Sequence, residues 1–169
     1  MPIDSQIVPL VRRATPADLK GIGRLGALLV EEHYDFDPRR FLAAKPRTPG
    51  DYASFISTQL EASDKAVLVA DANGHVIGYA YAAVEGHDYM ALRGPAGVLH
   101  DLIVDPEHRG RGIGRLLLEA ALAFLSSRGV PRVVLSTAER NEGAQRLFTR
   151  MGFRPTMIEM TRELDDSSS

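Results

Sequence analysis

Val98-Leu-His-Asp-Leu-Ile-Val-Asp-Pro106, continued by Glu107-His-Arg-Gly-Arg-Gly-Ile-Gly114, reads as a strand, a turn, a glycine loop and the start of a helix. Val98 to Val104 is a short run rich in branched apolar residues, and Asp105-Pro106 stops it as a turn pair. Gly110, Gly112 and Gly114 then alternate directly ahead of a segment whose apolar residues at 113, 116, 117, 120, 121 and 124 repeat with helical period. The loop therefore opens onto a helix N-terminus. Such an end leaves backbone N–H groups unpaired and carries partial positive charge, and glycines let a ligand approach that backbone with no Cβ in the way. Arg109, Arg111 and Arg115 add cations, so the loop predicts a phosphate or pyrophosphate seat. Two familiar phosphate loops do not fit. The spacing G-x-x-x-x-G-K-[ST] is absent, and Arg115 stands where a dinucleotide fingerprint needs its third glycine.

These residues resemble the central signature of the GNAT superfamily of acetyl-CoA-dependent N-acetyltransferases, [RQ]-x-x-G-x-[GA] after a strand ending L-x-V-x-P. Here the signature is Leu102-Ile-Val104-Asp-Pro106 followed by Arg109-Gly-Arg-Gly112-Ile-Gly114. A second block, Asn141-Glu-Gly-Ala144-Gln-Arg-Leu147-Phe148-Thr-Arg-Met-Gly152-Phe153, is similar to the family's N-x-x-A-x-x-L-Y-x-x-x-G-F segment. The order is right, and the resemblance covers roughly residues 65 to 163. It implies an α/β (α+β) GNAT fold: a mixed sheet of six to seven strands, about four helices, and fourth and fifth strands splayed around the pantetheine arm of acetyl-CoA. By that resemblance the cofactor-binding residues are the backbone of Leu102, Ile103 and Val104, the loop Arg109, Gly110, Arg111, Gly112, Ile113, Gly114 and Arg115, and, beside the pantetheine, Asn141 and Phe148.

Length and composition suit one domain over residues 1–164, with 165–169 a frayed tail. A net charge of -2 with both signs interspersed predicts no broad attraction to nucleic acid or membrane. The absence of cysteine excludes disulfides and thiolate chemistry. No apolar spanning stretch or secretory leader is legible, so the expected setting is cytoplasmic, and no ligand spacing predicts a metal. The expected partner is a small-molecule amine; a homodimer is the one protein contact anticipated.

Along the chain, Ile7 to Arg13 reads as an edge strand, and Thr15-Pro16-Ala-Asp18 as a capped helix start, the helix running to about Tyr34. A second helix is expected over Asp51–Leu60. Ala66–Ala70 and Val76–Val84 flank Asn73-Gly74, a hairpin signal. Pro131–Ser136 is a strand parallel to the central one, Asn141 starts the last helix, and Phe153 to Leu164 is expected to return as a final strand.

Acetyl transfer to an amine needs a held thioester, a deprotonated amine, a donor for the carbonyl oxygen and a stabilised thiolate. The candidate base is His100, since imidazole is the side chain whose ordinary pKa suits proton transfer near the working pH. Asp101 resembles the aspartate of polyamine and aminoglycoside acetyltransferases that meets a cationic amine. Both can face one pocket only if the strand is bulged. Phe148 stands where many members carry a tyrosine acid, and Val98 where histone-type members carry a glutamate base. Asp101 with Glu31, Glu32, Asp35 and Asp37 predicts a negative acceptor side that draws a small cationic amine. The rival readings are a protein N-terminal or lysine acetyltransferase, and a catalytically silent acyl-CoA-binding module.

Overall fold

The central strand forms as expected and is the fourth of five in the computed structural model, which describes residues 8–165. The strands are β1 (Leu10–Arg13), β2 (Lys65–Ala72), β3 (His75–Glu85), β4 (Ala96–Val104) and β5 (Val133–Leu135), hydrogen-bonded in that order. β1 to β4 pair antiparallel, and β4 pairs parallel with β5 through a helical crossover. Asn73 and Gly74 take φ of 51 and 86, the left-handed pair that a tight hairpin between twisted strands requires.

The apolar runs of β2 and β3 are buried on both faces, and their period of two sorts them between two cores. Ala66, Leu68, Ala70, Ala80 and Ala82 pack under α3 (Ile113–Ser127) with Leu117, Leu118 and Leu125. Val67, Val69, Tyr79 and Tyr81 face α1 (Leu19–Phe36) and α2 (Thr48–Ser57) with Ile22, Leu25 and Ile56. The second layer is held close by two glycines. A Cβ at Gly23 would lie 2.4 Å from the Pro49 carbonyl oxygen, and one at Gly26 would lie 2.2 Å from the Tyr52 ring. Any side chain there would push α2 off α1 and away from the sheet. The last helix, α4 (Glu142–Arg150), is capped by Asn141 and closed by Gly152 at φ 91.

The helix start at Thr15 is fixed by more than its cap. Asp18 accepts from the Thr15 backbone N–H at 2.8 Å and takes two bonds from the Arg12 guanidinium, at 2.8 and 3.0 Å. Arg12 also bonds Asp71, so one cation joins β1, β2 and the entry to α1. The Arg12 hydrogen bonds hold the Asp18 carboxyl below its usual range, against the opposing effect of burial. A carboxyl lowered by folding adds stability that is complete above its unfolded pKa and is lost as pH falls through the folded value. Asp18→Asn should therefore cost about 2 kcal/mol at neutral pH, the scale of a lost charge-assisted bond network. The deficit should narrow as wild type is acidified below about pH 4. Urea melts of both proteins from pH 7 to pH 3 check this; a deficit independent of pH contradicts it.

Three expectations need correction. The sheet has five strands among the described residues, where six to seven were expected. The predicted last strand from Phe153 to Leu164 does not form within one chain. Its backbone makes no described backbone hydrogen bond after Phe153, and ion pairs from Arg40 to Glu159 and from Arg39 to Glu163 carry it along the connector after α1. Helix boundaries also move: α1 continues to Phe36, and α2 begins at Thr48 because Pro49 suits a first helical turn, which lacks N–H acceptors. Ile7, at the start of the first expected strand, and residues 166–169 of the expected tail lie outside the described residues.

Candidate active site

β4 is bulged where the chemistry was expected. Tyr81 pairs with Asp101 and Ala82 with Leu99, leaving His100 as the extra residue. Leu99 and Leu102 pack into the α3 core, so His100 and Asp101 both turn toward α1 and α2. β4 and β5 pair only from Gly97↔Val133 to Leu99↔Leu135, and then part. From His100 to Val104 the β5 side of β4 has no strand partner among the described residues. A cleft of about 290 Å3 runs from this opening to the end of α1. Leu102, Leu135, Ala144 and Phe148 line its sheet side, and Leu29, His33, Phe41 and Leu42 its outer wall.

The Asp101 carboxylate lies in this cleft on two phenols. Tyr52, reaching in from α2 across Gly26, and Tyr79, from β3, both donate to Asp101 Oδ2, and their own oxygens are 3.2 Å apart. No described hydrogen bond uses Oδ1. Burial, then the adjacent Asp101 charge, pushes both phenols well above their ordinary pKa, so they remain donors at every working pH. Both phenols spend their donors on one carboxylate oxygen, which leaves the other for a ligand.

His100 stacks on Tyr81 with ring centroids 5.1 Å apart, and its Nε2 lies 2.8 Å from Glu85 Oε1. Arg93 holds the other oxygen of Glu85 at 2.8 Å. In neutral His100 the proton belongs on Nε2, which faces a carboxylate, and the lone pair on Nδ1. A second imidazole, His33, lines the cleft from α1. Its Nδ1 is 2.8 Å from the Leu29 carbonyl, an oxygen that can only accept, so in the neutral ring Nε2 keeps its lone pair. Tyr52, Tyr79, Glu85 and His33 had not stood out in the sequence. A tyrosine at a core-facing strand position reads as packing, and nothing local ties Glu85 to a histidine fifteen residues away.

The glycine loop reaches α3 as expected. Gly110 and Gly112 have φ of 76 and 79, and a Cβ on either would meet no atom within 4 Å. No described acceptor pairs the backbone N–H groups from Gly110 to Arg115, and the first intrahelical bond is Leu116 N–H to Gly112 O at 3.1 Å. Open space over unpaired donors at a helix start fits a pyrophosphate. The arginines divide. Arg109 turns inward, donating to the Val104 carbonyl at 2.9 Å and pairing with Glu32, so it clamps the loop to α1. Arg115 pairs with Glu119, and Arg111 makes no described ion pair. Ile103 and Ile113 are core side chains whose backbone alone can serve a ligand. Asn141 spends its side-chain oxygen on the Ala144 N–H at 3.1 Å. Phe148 is buried, edge-on to Phe153, and its side of the cleft carries the hydroxyls of Ser136 and Thr137. The expected acidic acceptor side is reduced to Asp101: Glu31, Glu32, Asp35 and Asp37 do not line the cleft, and Glu32 is neutralised by Arg109.

Among the described residues no group of three His, Cys, Asp or Glu could hold a metal, and no helix is long and apolar enough to cross a membrane.

The fold is shared with solved proteins. The BH1408 protein from Bacillus halodurans, as a tetramutant, is 25% identical with a TM-score of 0.79, covering 92% of this chain and 99% of that one. Aminoglycoside N-acetyltransferase AAC(6')-Iy in complex with CoA is 20% identical with a TM-score of 0.68, covering 92% and 95%, a likeness of fold. In sequence, the mycothiol acetyltransferase of Thermobispora bispora is 40% identical over 90 residues, 51% of this chain and 29% of that protein. That of Acidothermus cellulolyticus is 32% identical over 119 residues, 70% and 31%. The chain thus spans about a third of the length of the curated relatives it matches. The model of the acetyltransferase (GNAT) family matches residues 27–153, from the cleft wall of α1 through the glycine loop to the end of α4, and the chain belongs to that family.

Proposed function

We propose that this chain transfers the acetyl group of acetyl-CoA directly to the primary amine of a small cationic acceptor. The observation that carries the reading is the Asp101 carboxylate, backed by two phenols and open to the cleft at one oxygen, beside the gap between β4 and β5. An ammonium is the ligand such a group selects, and the cation can stand there while its amine is deprotonated for attack. Acetyl-CoA supplies an activated acyl thioester. The loop from Gly110 to Gly114 holds its phosphates, the unpaired edge of β4 from Leu102 to Val104 offers backbone groups to the pantetheine, and a β4 N–H polarises the acyl oxygen.

An aliphatic amine with a pKa of about 10.4 is nearly all protonated at neutral pH. His100 takes that proton on Nδ1, while Glu85 on Nε2 fixes the tautomer and stabilises the imidazolium. The amine lone pair then forms the C–N bond, the C–S bond breaks, the sulfur leaves with the electron pair as a thiolate, and the surplus proton of the new amide nitrogen passes to that thiolate through solvent. Phe148 has no proton to give, but a thiol with pKa of about 8.5 leaves without an acid, and Ser136 and Thr137 can solvate the sulfur. The relatives' names support a small-molecule acceptor: one group is called mycothiol acetyltransferase, another aminoglycoside N-acetyltransferase.

Asp101→Asn keeps an acceptor for both phenols and removes the charge. It should lower kcat/KM for a polyamine about tenfold or more, the scale of one charge-assisted bond, and leave acetyl-CoA affinity unchanged. Raising salt should raise the wild-type KM for that polyamine and barely move the KM of the variant. Equal salt dependence in the two proteins removes Asp101 as the acceptor anchor.

A further inference from the structure

Arg93 is turned inward by a loop that packs none of its large apolar side chains. The loop joins β3 to β4 and leaves Tyr89, Met90 and Leu92 exposed by 80%, 90% and 89%, so core packing does not explain its shape. Asp88 and Arg93 exchange both backbone hydrogen bonds at 3.0 Å, and Asp88 Oδ1 accepts from the N–H groups of Met90 and Ala91 at 3.0 Å each. Leu92, immediately before Arg93, takes φ 53, a left-handed conformation that a side chain rarely adopts. Such strain persists where the surrounding structure fixes it, and here it aims one residue. The Arg93 side chain is 15% exposed and donates to Glu85 Oε2 at 2.8 Å, to the Gly86 carbonyl at 3.2 Å and to the Gly94 carbonyl at 3.4 Å.

What Arg93 holds decides how His100 stands. The imidazole is stacked on Tyr81 with an angle of 24° between the rings, and the Tyr81 hydroxyl donates to the buried Gln59 at 3.2 Å. Stacking fixes the plane of the ring and not its edge: a half-turn about the Cβ–Cγ bond keeps the stack and exchanges Nδ1 with Cδ2. The bond from Nε2 to Glu85 Oε1 selects between the two, since after the half-turn a ring carbon would face the carboxylate. Glu85 is itself more than a third exposed, and a carboxylate free to rotate into water holds no ring. Arg93 takes that freedom away by binding the second oxygen. We propose that Arg93 is a positioning residue for acetyl transfer: through Glu85 it fixes which edge of His100 meets the cleft, so that the lone pair of Nδ1 points at the acceptor. The proposal rests on His100 as the base. Arg93 acts through two residues and needs no contact with the acceptor.

The test compares Arg93→Met, which keeps much of the stem, with Arg93→Lys, each alone and beside Glu85→Gln. Arg93→Met should lower kcat about tenfold, a part of the loss expected from removing the base, with the KM values for acetyl-CoA and for a polyamine unchanged. Lysine can reach the carboxylate with one N–H and should bring kcat back to within about threefold of wild type. In the Glu85→Gln background Arg93→Met should cost less than about twofold, because the residue it acts through is gone. The NMR shifts of the ring nitrogens of neutral His100 give a reading that a merely structural role would not move. They should show one Nε2–H form in wild type and an average over both tautomers in Arg93→Met. Arg93→Gln repeats both readings with a shorter polar side chain should Arg93→Met not fold. The spectra need no turnover, so they separate the proposal from its premise: His100→Ala with its rate intact refutes the base, whereas wild-type ring shifts in Arg93→Met refute the hold. A tenfold loss repeated in full beside Glu85→Gln, or a loss that lysine does not restore, would also overturn the proposal.

Discussion

Gly112→Val should fold and yet lose coenzyme A. At φ 79 a branched residue costs about 1 to 2 kcal/mol of backbone strain, which a domain of this size survives. Its Cβ meets no protein atom within 4 Å, so packing is not the casualty. What it occupies is the space above the unpaired N–H groups that open α3. Excluding phosphate from even two of those donors removes about 3 to 6 kcal/mol of charge-assisted bonding, a loss of a hundredfold or more in affinity. Calorimetric titration with coenzyme A, beside a thermal melt, separates the two effects. Wild-type affinity in a folded variant would mean that the phosphates sit elsewhere. Arg109 makes a useful contrast, since it is committed to Val104 and Glu32: replacing it should loosen the loop and lower stability along with affinity.

His100→Ala should lower kcat by about a hundredfold or more and change the KM for acetyl-CoA little, because the imidazole acts on the acceptor's proton and not on the cofactor. The half-exposed ring contributes one stacking contact and one hydrogen bond, so the variant should stay folded. His33→Ala is the control that gives the experiment its edge. If His33→Ala loses the rate and the His100 variant keeps most of its own from pH 6 to 9, the base is on α1.

Much of this site could be read from the chain because its signals are local. A glycine loop ahead of an apolar helix, a turn pair ending a strand and an asparagine at a helix start act over a few residues, and each formed where the residues placed it. The bulge that brings His100 and Asp101 onto one face stood in the sequence only as the condition that strand alternation imposes; no residue of β4 announces it. The contacts that decide charge were hidden because they join distant elements. Tyr52 reaches Asp101 only because Gly26 is bare on the neighbouring helix, and Glu32 is neutralised by an arginine seventy-seven positions away. Counting carboxylates along the end of α1 therefore overstated the acceptor field, which comes down to one anion on two phenols. The last strand was misplaced for a related reason. A run of apolar and β-branched residues suits a strand but does not specify a partner, and among the described residues no edge pairs with it.

The central claim is tested most directly by following thiol release from acetyl-CoA across a panel of diamines, polyamines, aminoglycosides, amino acids and peptides, with the acetylated product identified by mass spectrometry. The account predicts release that requires an amine, is fastest with the polycationic small molecules, slows at high salt and is lost in Gly112→Val. Tight coenzyme A binding with no release for any amine, or faster release with acidic acceptors than with cationic ones, would contradict it.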